Sequence, residues 1–130
     1  MRVLVTEQLS DQGLELLRKD FQVDVRTDLA TGPLESEIGP YDALIIRSAT
    51  RVTEAVLAAA TNLKVVARAG IGLDNVDVDA ATRRGVMVVN APQSNIISAA
   101  EQTLALLLAQ ARNVPQAHSD LIVGRWERSR

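Results

Sequence analysis

The sequence predicts an α/β fold: a flavodoxin-like, doubly wound parallel sheet of five strands, followed by a crossover helix. Three observations carry that prediction. Short aliphatic runs recur about every 21 residues along the chain. The segments between them space their apolar residues as helices do. The only aromatics are Phe21, Tyr41 and Trp126, so the core must be built from Ala, Val, Leu and Ile, which suits helices packed closely on a parallel sheet. Strands alternating with helices at this interval imply right-handed crossover units, and five of them fit the strand order 2-1-3-4-5.

The elements follow in order. Val3-Leu4-Val5 reads as the first strand. Ser10 caps a helix carrying Leu14, Leu17 and Phe21 on one face. Phe21-Gln22-Val23-Asp24-Val25 alternates apolar with polar residues, as an edge strand does. Residues 31–41 contain Gly32, Pro33, Gly39 and Pro40, so any helix there is short. Ala43-Leu44-Ile45-Ile46 is the third strand. Thr53 caps a helix with Val56, Leu57 and Ala60. Lys64-Val65-Val66-Ala67 is the fourth strand. Val76, Ala80 and Ala81 form a helix closed by Gly85. Val86-Met87-Val88-Val89 is the fifth strand. The third, fourth and fifth strands are nearly continuous apolar runs, the composition of central strands.

After a polar turn at residues 90–95, Ser98-Ala99-Ala100-Glu101 reads as a capping box opening a helix to about Arg112. That helix is apolar on two faces, Leu104, Leu107, Leu108 and Ala111 on one, and Ala99, Thr103 and Leu106 on the other. One sheet covers only one face, so a further surface is expected on the second. Val114-Pro115 breaks the helix, a second short helix ends near Gly124, and the tail reads as cut from a longer chain.

Composition narrows the function. Apolar residues at 47% and charged residues at 23% are globular values. A net charge of −2 with balanced signs gives no footprint for nucleic acid. The absence of cysteine removes disulfides, thiolate metal sites and cysteine nucleophiles. No apolar run approaches the roughly 18 residues of a membrane span. A cytoplasmic protein without a membrane partner is the expectation.

In open α/β sheets, ligands bind beyond the carboxyl ends of the strands. Those ends carry Arg47-Ser48-Ala49-Thr50, Arg68-Ala69-Gly70-Ile71-Gly72 and Asn90-Ala91-Pro92. Arg47 and Arg68 converge if their strands are neighbours. Ser48 and Thr50 add hydroxyls, and Gly70 and Gly72 admit close backbone approach. The set suits a small dianion bearing a carboxylate and a phosphate. Strand-terminal arginines also serve as surface ion-pairing residues, and that reading stays open. Gly70-Ile71-Gly72-Leu73-Asp74-Asn75 fails as a dinucleotide fingerprint, because its third glycine is Asn75 and Asn90 stands where an acid is needed. Its other reading is a tight turn feeding a helix capped by Asn75 or Asp77. His118 reads as a surface residue. Glu35, Glu37, Asp77 and Asp79 read as first-turn acids that favour the helix dipole. No nucleophile–base pair and no metal-ligand spacing is visible.

Further stretches join these: Val66-Ala67-Arg68 with Leu73-Asp74-Asn75-Val76-Asp77, Ala80-Ala81-Thr82-Arg83-Arg84-Gly85, Ser94-Asn95 and Gly124-Arg125-Trp126-Glu127-Arg128. Together with Arg47-Ser48-Ala49-Thr50 they resemble the D-2-hydroxyacid dehydrogenase superfamily, and within it the phosphoglycerate branch. The resemblance spans nearly the whole chain. It implies NAD-dependent oxidation of 3-phospho-D-glycerate to 3-phosphohydroxypyruvate, the opening step of serine synthesis. Residues 1–97 would be the amino-terminal part of a substrate domain. Residues 98–130 would be the crossover and dimerisation helix and the start of a Rossmann nucleotide domain. Arg47 and Arg68 would hold the phosphate with Ser48 and Thr50 nearby, the Gly70 and Gly72 backbone the carboxylate end, and Ile71 would flank the nicotinamide. Asn95 would line the site at the hinge, Trp126 would pack into a second copy, and Arg128 would reach that copy's phosphate site. The family's Gly-rich dinucleotide motif and its catalytic Arg, Glu and His have no counterpart in this chain, which alone is expected to be inactive.

Two other functions compete. A 2-hydroxyacid dehydrogenase such as a hydroxypyruvate reductase would not need both arginines. A non-catalytic scaffold module of the same superfamily would need an exposed peptide groove. A phosphorelay receiver is excluded, since it needs an acidic pair after the first strand and an Asp ending the third, where this sequence has Thr6-Glu7 and Arg47.

Overall fold

A computed structural model describes residues 1–126. They form two compact units, Met1–Ser94 and a second that begins at Asn95.

The first unit is a five-stranded parallel sheet of β1 (Arg2–Val5), β2 (Gln22–Val25), β3 (Ala43–Ile46), β4 (Val65–Arg68) and β5 (Met87–Asn90), in the order β2-β1-β3-β4-β5. The helices are α1 (Asp11–Arg18), α2 (Leu34–Glu37), α3 (Glu54–Ala59) and α4 (Val78–Arg83), with a 3-10 turn at Thr27–Ala30 that the sequence did not announce. Side-chain caps start three of them: Ser10 accepts from the Gly13 N–H, Thr53 from Val56 and Asp77 from Ala80. Gly85 closes the α4 turn at a φ of 68°, where a side chain would be strained.

Strand alternation divides the core. Leu4, Leu44, Ile46 and Val66 point to one face, where Leu34, Ile38, Val56, Leu57, Ala80 and Ala81 cover them. Val3, Val5 and Ala43 point to the other, with Leu14 of α1 packed against them. β5 departs from its sequence reading. It is an edge strand with Met87 and Val89 exposed, and only Val88 packs on the larger core. Apolar composition alone does not distinguish a central strand from an edge strand with one uncovered face.

Ionic contacts tie the amino-terminal ends of the strands. Arg2 donates to Asp24 at 2.8 Å and lies over the Tyr41 ring, 4.8 Å from its centroid. Asp42 accepts the Arg2 backbone N–H at 2.8 Å and pairs with Lys64 at 3.2 Å.

The second unit holds α5 (Ile96–Ala111) and α6 (Val114–Ile122). Asn113, at a φ of 50°, turns the chain between them, and Pro115 sits in the first turn of α6, where its missing N–H costs nothing. The capping box does not form. The Asn95 carbonyl already accepts from the Ala99 N–H at 2.9 Å, so Ser98 and Glu101 lie inside α5 and no side chain caps it. Neither apolar face of α5 is buried; Leu104, Leu106, Leu107 and Leu108 are all exposed. Among the described residues, no helix is long and apolar enough to cross a membrane.

Candidate functional site

Register assembles the carboxyl edge of the sheet. Ile46 lies opposite Arg68, and Arg68 opposite Asn90, so the loops after β3, β4 and β5 leave side by side. Hydrogen bonds then stitch them together. Ala69 N–H donates to the Ile46 carbonyl at 2.8 Å, Ala91 N–H to Gly70 at 2.9 Å, and Asn90 Nδ2 to Ile71 at 2.6 Å. Val52 pairs with Val76 as an isolated parallel bridge, which carries the contact between the β3 and β4 loops outward.

Arg47 and Arg68 meet at this edge in different states. Arg68 Nε donates to the Arg47 carbonyl at 3.4 Å, and its side chain is only 12% exposed. Its Nη2 lies 3.8 Å from Asp74 Oδ1, a long pair with an exposed acid. Arg47 is exposed, and its guanidinium donates only to the Gln8 carbonyl, at 3.3 Å. Among the described residues, no carboxylate stands within ion-pair distance of Arg47. The ion-pairing reading therefore fits Arg68 in part and Arg47 not at all. Ser48 is exposed beside it.

One sequence reading needs correction. Thr50 is wholly buried, and its hydroxyl meets Thr6 Oγ1 at 2.8 Å, so it secures the loop instead of facing a ligand. Gly70 and Gly72 both sit where a side chain would be tight: a Cβ on Gly70 would stand 2.9 Å from Arg68 Nη1, and one on Gly72 would stand 2.8 Å from Asp74 Oδ1. Of the two cap candidates, Asp77 starts α4, and the other is Asn75. Its Nδ2 donates to the Arg47 carbonyl at 2.7 Å and the Thr50 carbonyl at 2.6 Å. Ile71 is exposed at the tip of the β4 loop. Asn95 opens the second unit, and Arg128 lies outside the described residues. His118 is exposed.

Glu7 is the residue that sequence reasoning missed. Its Oε1 accepts from the Arg47 and Thr50 N–H groups at 2.8 and 3.0 Å, and its Oε2 from Ala49 at 3.0 Å. Burial pushes the carboxyl up, but the N–H groups of Thr50, Ala49 and Arg47 together outweigh it and hold the group below its usual value. The signal was available: Glu7 stands just past a carboxyl strand end, like the arginines it serves.

An open cavity of about 410 Å³, lined by residues including Gly32, Leu34, Ala49, Arg51 and Thr53, flanks the loop after β3 and includes neither Arg47 nor Arg68. The arginines instead face the open edge of the sheet. Among the described residues, no group of three or more His, Cys, Asp or Glu stands close enough to hold a metal ion.

The profile of the D-isomer specific 2-hydroxyacid dehydrogenase catalytic domain matches residues 3–122. A D-3-phosphoglycerate dehydrogenase of Mycobacterium tuberculosis is 53% identical over 98% of this chain. One from Archaeoglobus fulgidus is 46% identical over all of it. A solved Thermus thermophilus structure aligns with the whole chain at a TM-score of 0.87 and 34% identity, and the chain covers 43% of that protein. The chain spans about a quarter of the two curated relatives, 24% and 25%.

Proposed function

This chain belongs to the D-isomer specific 2-hydroxyacid dehydrogenase family, and on that premise we propose that it is the amino-terminal part of an NAD-dependent D-3-phosphoglycerate dehydrogenase acting in serine biosynthesis in the cytoplasm. Residues 1–97 hold the substrate, 3-phospho-D-glycerate. Residues 98–126 carry the chain toward a nucleotide domain and join two copies through the exposed leucines of α5 and Trp126.

The observation that carries this reading is Arg47, an exposed guanidinium without an acid partner among the described residues, set beside Arg68 on neighbouring strands. Two guanidiniums and the Ser48 hydroxyl suit a phosphate dianion. The Gly70-Ile71-Gly72 backbone takes the carboxylate end. Ile71 offers one apolar side chain to a nicotinamide, Asn95 lines the hinge, and Arg128 serves the second copy. NAD would supply hydride acceptance, and the Gly70-Ile71-Gly72 turn lacks the third glycine of a dinucleotide fingerprint. Residues 1–126 bind and orient, and the chain alone turns nothing over.

The test is titration of the chain with 3-phosphoglycerate, followed by amide chemical shifts. Arg47→Ala or Arg68→Ala should each weaken binding by about 10- to 150-fold, the loss of one charge-assisted contact of about 1.5–3 kcal/mol. Unchanged binding in both variants would return the arginines to a structural role. A preference for hydroxypyruvate over the phosphorylated acid would instead favour a hydroxypyruvate reductase.

A further inference from the structure

We propose that Glu7 is a positioning residue of this anion site: by holding the backbone of the loop after β3, it sets the placement of Arg47 and Ser48 and so makes the site prefer phosphorylated ligands. The inference deepens the reading above and rests on it.

β1 ends at Val5, and the Thr6 N–H donates across to the Ile45 carbonyl at 3.2 Å. That pairing delivers Glu7 to the end of β3. Three N–H groups within four residues, those of Arg47, Ala49 and Thr50, then turn inward onto one carboxylate. The carbonyls of the same loop are taken from another side. Asn75 Nδ2 donates to those of Arg47 and Thr50, and Arg68 Nε reaches that of Arg47. The Thr50 hydroxyl is locked to Thr6. With its inner polar groups engaged, the loop leaves Ser48 and the Arg47 guanidinium outward. The guanidinium's one hydrogen bond goes to the carbonyl of Gln8, the residue after Glu7. Backbone and side chain of Arg47 are thus both referenced to the same strand end.

An anion within the loop is unfavourable for a second anion bound nearby, by like-charge repulsion. Three charge-assisted hydrogen bonds offset that effect and leave the geometry of the loop fixed before any ligand arrives. Glu7 makes no such contact with the Gly70–Gly72 loop, so that loop is an internal control. Glu7→Gln keeps the shape but presents an amide donor where a backbone N–H already points. At least one of the three bonds is then replaced by a donor–donor contact. Glu7→Asp draws the carboxylate back by one methylene.

The experiment compares 3-phosphoglycerate with D-glycerate, which lacks the phosphate, on the unmutated chain, Glu7→Gln, Glu7→Asp and Arg47→Ala. Amide spectra report both binding and folding. Glu7→Gln should raise the Kd for 3-phosphoglycerate by about tenfold and change that for D-glycerate by less than about twofold. Shift changes in the free protein should concentrate at residues 47–50 and spare residues 70–72. A residue needed only for folding would weaken both ligands alike, so equal loss, or no loss, overturns the inference while Arg47→Ala still reports a working site. If the unmutated chain shows no preference for the phosphorylated ligand, the site reading fails and this inference with it. Should Glu7→Gln lose its dispersed amides, Glu7→Asp takes its place with the same selective loss expected. Loss of fold in both variants would make Glu7 purely structural and overturn the proposal.

Discussion

Leu44 in β3 and Leu107 in α5 are the same side chain with opposite fates. Leu44 is 0% exposed and Leu107 62% exposed. In Met1–Ser94 the sheet presents two faces; α2, α3 and α4 cover one and α1 covers part of the other, so most apolar residues find partners within the unit. In α5 and α6 no residue is buried, although α5 has leucine at four of the five positions 104–108. Two helices joined by a tight turn have too little surface to enclose a stripe that wide. The first region therefore closes its own core. The second holds apolar surface of the kind that marks an interaction site.

The largest effect tests the closed core. Leu44→Ala should cost about 2–5 kcal/mol in urea unfolding, while Leu107→Ala should stay within about 0.5 kcal/mol at concentrations where the chain is a monomer. Equal costs would erase the distinction between the regions.

The next effect tests the open surface. Each leucine covered on self-association contributes about 1.5–3 kcal/mol. Leu106→Asp with Trp126→Ala should therefore move the chain toward monomer in sedimentation while the sheet stays folded. A monomer at high micromolar concentration before mutation, with native circular dichroism, would remove the second copy from the account.

The smallest effect is acid sensitivity, which belongs to the sheet unit. The Arg2 guanidinium lowers the Asp24 carboxyl, Arg26 lowers Asp28, and the Arg2 backbone N–H with Lys64 lowers Asp42. For Glu7, burial acts upward and three N–H groups outweigh it. A carboxyl lowered in the folded chain stabilises fully above its unfolded value near about 4, and that contribution fades as pH falls through the lower folded value. The urea midpoint should hold at pH 6 and drop at pH 3. A flat midpoint between them would mean that these surface pairs contribute nothing, as exposed pairs often do.

Local pattern was enough for much of the sheet unit. All five strands, the caps at Ser10 and Thr53 and the turn at Gly85 follow from side-chain period and turn chemistry, which act over a few residues, and the order 2-1-3-4-5 follows from the alternation of strands with helices. Arg47, Ser48, Arg68, Gly70 and Gly72 were visible because the ends of strands are visible. Local pattern misled at Ser98, where a backbone turn had already begun α5, and at Met87 and Val89, whose composition does not say which side of the sheet is covered.

Parallel register settled what remained. It set Arg68 between Ile46 and Asn90, drew Thr50 inward to Thr6, laid the Arg68 side chain over Gly70, and brought Glu7 from just past β1 and Asn75 from the loop after β4 to Arg47, 40 and 28 residues away in sequence. Those pairings join groups that share no periodicity. Their positions are set by how neighbouring strands end together, and no property of either segment alone encodes that.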